Sequence, residues 1–457
     1  MVSRLVSEAR SARRKLILRR PVQWAAGQLR ALERLLVDNQ WRIVEASVED
    51  LGKPVAEAWM SEVGLVLQEV RIQLKNLHRW RSPRRARLQL SLQPARAWLE
   101  PEPLGRVLVV GPFNFPFQLT LAPLAAALAA GNDVVVKPSE LAPASSRLLA
   151  ELLPGYLDRE AVSVVEGGPE AVSALLDEPF DHVFFTGGTK AGREVAKRAA
   201  ERLVPVTLEL GGKNPAIVCG GAHIDRAARW ILWGRLFNAG QSCVAPDYVL
   251  VEQSIAGQFV SAFRRSLASF YPTAESLSAN MARIVNSAHF ERLVSLVEAG
   301  GFKELISVGE PKPRELVFPP TILVGTAPSA ACLQEEIFGP ILPVVEVAGL
   351  EEAISFASDR PRSLVSYVFL GPSLDKRMIS RELGSSAVVF NSTMCWFAAR
   401  DLPFGGVGDS GMGAYHGRWG FETFSHLKAV YDRRGLELWV AYPPYVRLKA
   451  RLLRLMA

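Results

Sequence analysis

A single cysteine, Cys243, lies in the stretch NAGQSCVAPD at residues 238–247, among small and polar neighbours. A cysteine that only fills a core usually has apolar neighbours, whereas a nucleophilic cysteine must reach a substrate and react as the thiolate. Small neighbours leave room for a substrate, and an exposed turn or a helix N-terminus would suit both requirements. Cys243 is therefore a candidate nucleophile. The alternative is a small loop cysteine with no chemical role.

Two polar residues beside predicted strand ends could assist such a nucleophile. Glu209 ends the apolar stretch VTLE, and a carboxylate there is costly to bury unless it opens onto a cleft or its pKa rises. Either condition suits a general base, and a salt-bridged glutamate is the alternative. Asn114, in GPFNFPF between a strand and a helix, could donate a side-chain N–H to an oxyanion or could cap the helix.

A glycine turn between a strand and a helix, FFTGGTKAG at 184–192, is a candidate phosphate site. Backbone N–H groups at the start of a helix can hold a pyrophosphate. The turn does not match a triphosphate-binding loop, because Arg193 and Glu194 stand where that motif needs Lys and Ser or Thr. Lys137 and Glu140, just past another strand end, could bind ribose hydroxyls or could be surface charges.

The elements that must position these residues follow from hydrophobic spacing. Residues 21–100 show the period of helices. From residue 105, short runs rich in valine and phenylalanine alternate with helical stretches, and a second such region runs from 206 to about 385. This alternation predicts βαβ units, a parallel sheet and the α/β fold class. Near residue 386 the chain becomes rich in loops.

Composition argues against several other classes. The 457 residues allow about three folding units, and the four cysteines are too few for a disulfide scaffold, so a reducing compartment is expected. The six histidines lack metal-ligand spacing, so no metal site is expected. No apolar stretch reaches the ~20 residues of a membrane-spanning helix. The middle of the chain lacks the basic, aromatic-interleaved pattern of nucleic-acid binding.

The positive charge is concentrated at the two ends of the chain. The net charge is +7, and residues 1–35 carry nine Lys or Arg against two Glu, a surplus of 9 − 2 = +7. The last sixteen residues add four basic residues and no acidic one. As a helix, this tail would place Leu448, Leu452 and Leu455 on one face, so it could lie on an anionic membrane surface. A solvated helix face is the alternative.

Taken together and in this order, the motifs resemble the aldehyde dehydrogenase superfamily from about residue 20 to 430. The specific stretches are LELGGK around Glu209 and GQSC around Cys243. PEPLGRVLVVGPFNFPF, GQSCVAPDYVL and GVGDSGMGAYHG followed by FETFSH are similar to the class 3 branch, the aromatic and fatty aldehyde dehydrogenases.

The resemblance implies an aldehyde dehydrogenase-like α/β fold with a Rossmann-like cofactor domain, an α/β catalytic domain and a small β arm that bridges subunits. The implied boundaries are 1–82 with 106–208 for the NAD(P)-binding domain, 209–385 for the catalytic domain, 83–105 with 386–432 for the bridging and oligomerisation segments, and 433–457 for the basic tail. Members of this branch are typically dimeric, so a homodimer is expected.

The resemblance also implies roles for residues. Cys243 would attack the aldehyde carbonyl, and the Asn114 side chain with the Cys243 backbone N–H would hold the oxyanion. Hydride would pass to the nicotinamide, and Glu209 would activate the water that hydrolyses the thioester. The implied cofactor residues are Lys137 and Glu140 for the adenosine ribose, Gly187, Gly188 and Gly192 for the pyrophosphate, and Glu336 and Phe338, from the stretch EEIFGP, for the nicotinamide half.

Some positions depart from the family pattern or bear on specificity. Gly188 stands where the family often has Ser, and Phe113 where many relatives have Trp. Trp396 and Phe397, with Phe113, indicate an apolar channel for medium-chain, long-chain or aromatic aldehydes, and packing of Trp396 and Phe397 at an interface is the alternative. Glu140 should repel a 2′-phosphate, so NAD is expected first, with NADP as the alternative because a lysine is close.

Two other functions stay open at this point. A relative that acylates coenzyme A or reduces acyl groups would not need Glu209, and an inactive, membrane-associated binding protein would tolerate loss of Cys243, Glu209 or Asn114. All three residues are present, so aldehyde oxidation is the leading hypothesis. No secretory signal is recognisable, and a cytoplasmic location is expected, with peripheral membrane contact through the tail as a further expectation.

Overall fold

The structure is a computed structural model. It describes residues 13–89, 92–372, 374–433, 435, 442–444, 446–449 and 451. The first twelve residues and much of the tail, including Leu452 and Leu455, lie outside the described residues. Among the described residues, no helix is both long enough and apolar enough to cross a membrane. Membrane contact through the tail therefore stays a prediction.

Helices and strands alternate over most of the chain. The strands are β1 (Arg84–Ala86), β2 (Ala95–Pro103), β3 (Arg106–Val110), β4 (Asp133–Lys137), β5 (Val162–Val164), β6 (His182–Thr186), β7 (Val206–Glu209), β8 (Pro215–Val218), β9 (Tyr248–Glu252), β10 (Glu304–Ser307), β11 (Thr321–Val324), β12 (Ile341–Val347), β13 (Val365–Phe369), β14 (Ala387–Phe390), β15 (Gly411–Met412) and β16 (Ser425–Arg433). The α-helices between residues 22 and 423 are α1 (Val22–Asp38), α2 (Gln40–Leu51), α3 (Val55–Ala58), α4 (Leu65–Arg81), α5 (Gln118–Ala130), α6 (Pro143–Tyr156), α7 (Pro169–Leu176), α8 (Thr189–Glu201), α9 (Ile224–Leu236), α10 (Ala256–Phe270), α11 (Ala274–Asn280), α12 (Ser287–Glu298), α13 (Leu350–Ser358), α14 (Lys376–Glu382) and α15 (Gly417–Thr423).

The N-terminal helices pack on α5, whose thirteen residues are all buried. Helices α1 and α4 turn the apolar stripe of their helical repeat towards the core, as the sequence spacing predicts. A π-helical turn at Trp59–Gly64 joins α3 to α4. The prediction of helices through residue 100 is wrong beyond Arg81, because β1 and β2 pair there as strands.

The first large sheet has the strand order β15-β7-β6-β3-β4-β5. Strands β3 to β7 are parallel, and β15 runs antiparallel to β7. Buried parallel strands show unbroken apolar runs, which is the pattern of these segments in the sequence. After β3 the chain first adds β4 and β5 on one side of β3, and then adds β6 and β7 on the other side. The order in which strands are added therefore reverses at β3. Open α/β sheets bind ligands at the carboxyl ends of strands at such a point.

A second sheet has the order β10-β11-β12-β9-β8-β13-β14, parallel except for β10. Cys243 lies in the connection from α9 to β9. A third, antiparallel sheet, β1-β2-β16, forms a small arm in which Ser425 pairs with Pro103 and Arg433 with Ala95. The α/β architecture with a small β arm agrees with the predicted fold class. The domain boundaries stay a prediction.

Candidate active site

Cys243 follows a backbone turn that few residues can adopt. In the 3-10 turn Phe237–Gly240, Asn238, Ala239 and Gly240 have φ values of +52°, +51° and +74°. Residues with a side chain are strained in this left-handed region. At Gly240 a Cβ atom would lie 2.2 Å from the Gly339 carbonyl oxygen, so only glycine fits. The strained backbone before Cys243 must therefore be stabilised by contacts with neighbouring residues.

Buried side chains supply that support. The Asn238 side-chain amide donates to the carbonyl oxygens of Asn114 at 3.0 Å and Gln241 at 3.1 Å. The backbone N–H of Asn238 donates to Glu57 Oε2 at 3.1 Å. The Asn114 Nδ2 atom donates to the same Gln241 carbonyl at 3.1 Å. The predicted oxyanion donor is thus fixed beside the loop that carries Cys243.

Asn114 does not cap the helix that follows it, so that alternative is wrong. The N-cap position of α5 is Phe117. The N–H groups of Phe117 and Gln118 donate instead to Glu62 Oε2, at 3.1 and 3.0 Å. An amide nitrogen carries two hydrogens, and the hydrogen bonds of the described residues use one of them, on Gln241. The second is available to a substrate oxygen.

The Cys243 thiol is half-buried and follows a 3-10 turn, so the expectation of an exposed turn or a helix N-terminus is corrected. Burial raises the pKa of the thiol, and the carboxylates of Glu336 and Glu209 raise it further. The N–H groups of Cys243 and Val244 act in the opposite direction. The thiol therefore rests protonated, and its reaction requires a base that takes the proton.

Glu209 ends β7 as a buried carboxyl group, 4% exposed. Neither carboxylate oxygen has a hydrogen-bond partner among the described residues, so the salt-bridged alternative is wrong. Burial raises the pKa of Glu209 well above its usual range. Its charge acts on the Cys243 thiol and on the Tyr415 hydroxyl, so Glu209 lies within electrostatic reach of both groups. A raised pKa and unused acceptor oxygens are what a general base needs.

The loop 335–340 brings a second carboxyl group to Cys243. Burial raises the pKa of Glu336 to about 8, and the charge of Asp247 adds to this effect. A hydrogen bond from the Gly212 N–H lowers the pKa but does not cancel the rise. The backbone of Gly211 makes room for this group, since a Cβ there would lie 1.9 Å from Glu336 Oε2. With a pKa of about 8, Glu336 changes protonation state within the working range of most enzymes.

Asp247, which the sequence analysis missed, anchors this loop. Its carboxylate accepts from Lys213 Nζ at 2.5 Å and from Arg235 Nη1 at 2.9 Å. It also accepts the backbone N–H of Ile337 at 3.2 Å. A buried carboxylate needs such partners. The available signal was its place in CVAPD, directly before a buried strand and four residues after Cys243.

Tyr415 is a second missed residue. It is buried, and its hydroxyl has no hydrogen-bond partner among the described residues. Burial raises the pKa of the Tyr415 hydroxyl well above its usual range, and the charges of Glu209 and Cys243 add to this. The available signal was the stretch GMGAYHG, in which a tyrosine and a histidine lie within a glycine-rich segment.

The glycine turn after β6 fits a phosphate group. A Cβ at Gly187 would lie 2.7 Å from Phe185 Cζ, and one at Gly192 would lie 2.6 Å from Leu210 Cδ2, so a larger residue at either position would displace a neighbouring side chain. Gly188, at the N-cap of α8, faces open space. The first turn of α8 contains no acidic residue. Its N–H groups and positive dipole end are therefore accessible to an anion.

Lys137 and Glu140 form an ion pair of 2.6 Å at the end of β4. The Lys137 side chain is 2% exposed and that of Glu140 is 38% exposed, so the alternative of two surface charges is wrong for the lysine. Strand β4 lies beside β3, and β3 beside β6, so the pair opens at the same sheet edge as the glycine turn.

A cleft of 630 Å³ extends from the N-terminus of α8 to the loop that carries Glu336. Its lining includes Thr189 from α8, Gly211 and Gly212 after β7, and Glu336. Its lining includes four basic and four acidic residues, so its charge is balanced. The cleft connects the first residue of α8, which follows the candidate pyrophosphate turn, with the candidate nicotinamide residue Glu336, and its volume has room for part of a dinucleotide.

The predicted aromatic residues lie in two places. The Phe113 ring is 5.8 Å from His289 and 5.9 Å from Phe338, edge-on to both, so Phe113 lies beside a candidate cofactor residue. Phe338 itself has a left-handed backbone, with φ +49°. The contact between the two rings forms one aromatic wall.

Trp396 lies in the 3-10 turn Cys395–Ala398 and stacks on Phe404 at 4.8 Å. Phe404 contacts Tyr415 at 5.5 Å, so this stack leads towards the pocket of Cys243. Phe397 is half-buried against the core, and no ring contact among the described residues joins it to this stack. The structure therefore brings Trp396 towards the site and leaves Phe397 apart from it.

Comparison with known proteins agrees with this geometry. Residues 1–430 match the model of the aldehyde dehydrogenase family. The chain is 40% identical over 429 residues to "Aldehyde dehydrogenase, dimeric NADP-preferring" of Canis lupus familiaris, covering 93% of this chain and 94% of that protein. It is 40% identical over 419 residues to 4,4'-diaponeurosporen-aldehyde dehydrogenase of Staphylococcus aureus, covering 92% and 91%.

A solved structure, the substrate-bound state of Staphylococcus aureus AldH, superposes with a TM-score of 0.94 at 37% identity, covering 100% of this chain and 99% of that one. The predicted resemblance and the predicted fold class are both confirmed. The chain belongs to the aldehyde dehydrogenase family and is an NAD(P)-dependent oxidoreductase that acts on aldehydes.

Proposed function

We propose that the protein oxidises apolar aldehydes to carboxylic acids through a covalent intermediate on Cys243. One observation carries the proposal: the Asn114 amide is fixed on the Gln241 carbonyl, two residues before Cys243, and the unpaired carboxylate of Glu209 lies within electrostatic reach of the Cys243 thiol. Acyl chemistry needs a nucleophile, an oxyanion donor and a base within one site.

The first step is attack of the Cys243 sulfur on the aldehyde carbon. The thiol proton passes to the Glu336 carboxylate, because the thiol is otherwise protonated and the charge of Glu336 acts on it more strongly than that of Glu209. The C–S bond forms as the carbonyl π electrons move to oxygen. The free hydrogen of Asn114 Nδ2 and the Cys243 backbone N–H stabilise that oxyanion.

The second half of the reaction releases the acid. The oxyanion re-forms the carbonyl as a hydride leaves the same carbon, which gives a thioester on Cys243. NAD(P), when bound, would supply the acceptor for that hydride. Glu209 takes a proton from water as the water oxygen bonds to the thioester carbon, and the C–S bond then breaks to return the Cys243 thiolate. Glu209 suits this step because both of its oxygens lack partners among the described residues.

The cofactor would lie along the edge that holds the glycine turn. Lys137 and Glu140 are proposed to bind the adenosine ribose, Gly187, Gly188 and Gly192 to approach the pyrophosphate, and Glu336 and Phe338 to hold the nicotinamide half. Glu140 disfavours a 2′-phosphate, while the buried charge of Lys137 beside it reduces that repulsion. NAD is proposed as the first cofactor and NADP as the alternative.

The proposed substrates are medium-chain, long-chain or aromatic aldehydes. Support comes from the aromatic wall of Phe113 with Phe338 and the stack of Trp396 on Phe404. The staphylococcal relative is named for 4,4'-diaponeurosporen-aldehyde. Phe397 stays a proposed substrate residue without a described ring contact to this stack.

The proposed assembly is a homodimer, supported by the name of the canine relative. The proposed location is the cytoplasm, with peripheral membrane contact through the basic tail, supported by the charge at the two ends of the chain.

The test is the absorbance of reduced nicotinamide when purified protein is mixed with NAD or NADP and an aldehyde series from hexanal to hexadecanal, plus benzaldehyde. We expect turnover that rises with chain length and is abolished in Cys243→Ala, whereas Cys332→Ala, a buried cysteine outside the pocket, keeps it. No signal with any aldehyde would contradict the proposal. A signal that requires coenzyme A would support the acyl-transfer alternative.

A further inference from the structure

The backbone carbonyl group of Gln241 holds the side chain that is proposed to stabilise the oxyanion. It accepts hydrogen bonds from Asn114 Nδ2 at 3.1 Å and from Asn238 Nδ2 at 3.1 Å. A side-chain amide is planar and its nitrogen carries two hydrogens, so fixing the direction of one fixes the direction of the other. The position of the Gln241 carbonyl therefore determines where the free hydrogen of Asn114 points.

The main chain at Gln241 has no regular structure to hold that carbonyl. Gln241 follows the left-handed turn at 238–240 and lies in neither a helix nor a strand. Its N–H donates to the Asn238 carbonyl at 3.0 Å, which is a bond within the same turn. Loop segments are more mobile than the helices and strands that they connect. The carbonyl therefore needs an anchor outside the turn.

The side chain of Gln241, which is 1% exposed, supplies this anchor. Its Nε2 atom donates to the Arg283 carbonyl at 2.9 Å, and its Oε1 atom accepts the Val285 N–H at 3.0 Å. Both ends of the amide are thus bonded to one segment, residues 283–285, which lies between α11 and α12. An ionised glutamate would have no donor for the Arg283 carbonyl, and asparagine is one methylene shorter.

The segment 283–285 is in turn attached to the C-terminal end of α2. The Arg283 N–H donates to the Leu51 carbonyl at 2.6 Å, and the Arg283 guanidinium donates to the Glu49 carbonyl at 2.6 Å. A cation is favourable beside the last carbonyl groups of a helix. At Gly52, the C-cap of α2, a Cβ would lie 2.9 Å from Arg283 Cγ, so the arginine side chain packs closely on the helix end.

We propose that Gln241 is a positioning residue that directs the Asn114 amide towards the oxyanion. Hydrogen bonds run from α2 through Arg283 to the Gln241 side chain, and the Gln241 carbonyl then holds Asn114. Gln241 acts on the reaction through Asn114. The inference rests on the proposed function, because it explains how the oxyanion donor of that reaction is oriented.

The test compares Gln241→Met with wild type in the first turnover of hexanal with NAD, followed by the absorbance of reduced nicotinamide. Methionine has a similar length but cannot donate to the Arg283 carbonyl. At saturating aldehyde the rate should fall about tenfold, which is part of the hundredfold or more that loss of an oxyanion donor costs. The half-saturating aldehyde concentration should not change, because the bound substrate carries no oxyanion. Gln258→Met, at an exposed position of α10, is the matched control.

Two further measurements separate orientation of the donor from general damage to the loop. Iodoacetamide alkylates a thiol without forming an oxyanion, so peptide mass spectrometry should show Cys243 of Gln241→Met modified at close to the wild-type rate. In the Asn114→Ala background, which lacks the donor, adding Gln241→Met should slow the first turnover no further.

The proposal is overturned if Gln241→Met oxidises the aldehyde at the wild-type rate, or if alkylation of Cys243 slows as much as oxidation does. It is also overturned if Gln241→Met slows Asn114→Ala by the same factor as wild type. A wild-type protein that oxidises no aldehyde would instead overturn the proposed function, and this inference with it. If Gln241→Met does not fold, Arg283→Met, which keeps the stem of the side chain and loses the guanidinium, decides by the same measurements.

Discussion

Burial raises the pKa of the Cys243 thiol and of the Glu209 and Glu336 carboxyl groups together. A charge on any one of them therefore disfavours a charge on the others. Moving the proton from the thiol to one of these carboxylates keeps the net charge of the pocket constant. The Cys243 thiolate therefore forms by transfer of its proton to an ionised carboxylate. It is not present as a permanently ionised cysteine.

This coupling predicts a pH dependence. The pKa of Glu336 is raised to about 8, so its carboxylate, which can accept the thiol proton, becomes abundant only as the pH rises through that value. We expect kcat to increase as the pH rises through about 8 and the inflection to weaken in Glu336→Gln. Steady-state rates across a pH series would check this, and a wild-type rate that falls over the same range would contradict it.

At the scale of elements, the turn after α9 determines where Cys243 lies. We expect Gly240→Ala to lower both the thermal midpoint and kcat, because a Cβ there would meet the Gly339 carbonyl at 2.2 Å and Gly240 has φ +74°. Gly257→Ala is the matched control, since Gly257 is exposed in α10 with open space around it. A Gly240→Ala enzyme with the wild-type midpoint and rate would disprove this role of the turn.

Glu57 supports the same turn from α3. Its Oε2 atom accepts the Asn238 N–H at 3.1 Å, and burial raises its pKa to about 7. Glu57→Ala leaves that N–H without a partner, at a cost of about 1–3 kcal/mol. We expect kcat to fall roughly tenfold with little change in KM, and Glu57→Gln, which keeps an acceptor oxygen, to restore most of it. An alanine variant with unchanged kcat would show that the turn does not depend on Glu57.

At the scale of the whole molecule, β16 lies at one edge of the three-stranded arm, counting the described strands. An edge strand is a surface that readily pairs with another chain. We expect a dimer in sedimentation velocity. Adjacent residues of an antiparallel strand direct their N–H groups to opposite sides. One of Ala429 and Val430 therefore directs its N–H away from β2, towards the proposed partner strand. The proline variant at that residue should give a monomer without lowering the thermal midpoint. A monomeric wild type would contradict this arrangement.

The sequence predicted local features well because local chemistry determines them. The strands before Asn114, Lys137 and Glu209 were recognised from apolar runs, and the parallel sheets then bring these strand ends to common edges. The roles of these residues remain predictions that the experiments above address.

Long-range contacts were beyond what the sequence shows. The spacing of residues 21–100 predicts helix where β2 lies, because the partner strand β16, which makes β2 a strand, is more than 300 residues further along the chain. Asp247 was missed because its partners, Lys213 and Arg235, meet it only in the folded protein. The half-buried position of Cys243 follows from the left-handed turn before it, which no periodicity reveals.

The most direct test of the account is a single-turnover experiment with Glu209→Gln, mixed with NAD and an apolar aldehyde and followed by intact-protein and peptide mass spectrometry. If Glu209 activates the hydrolytic water, one equivalent of reduced nicotinamide forms quickly, and the protein then carries the acyl group on Cys243. Turnover at the wild-type rate with no accumulated adduct, or an adduct on a residue other than Cys243, would contradict the account.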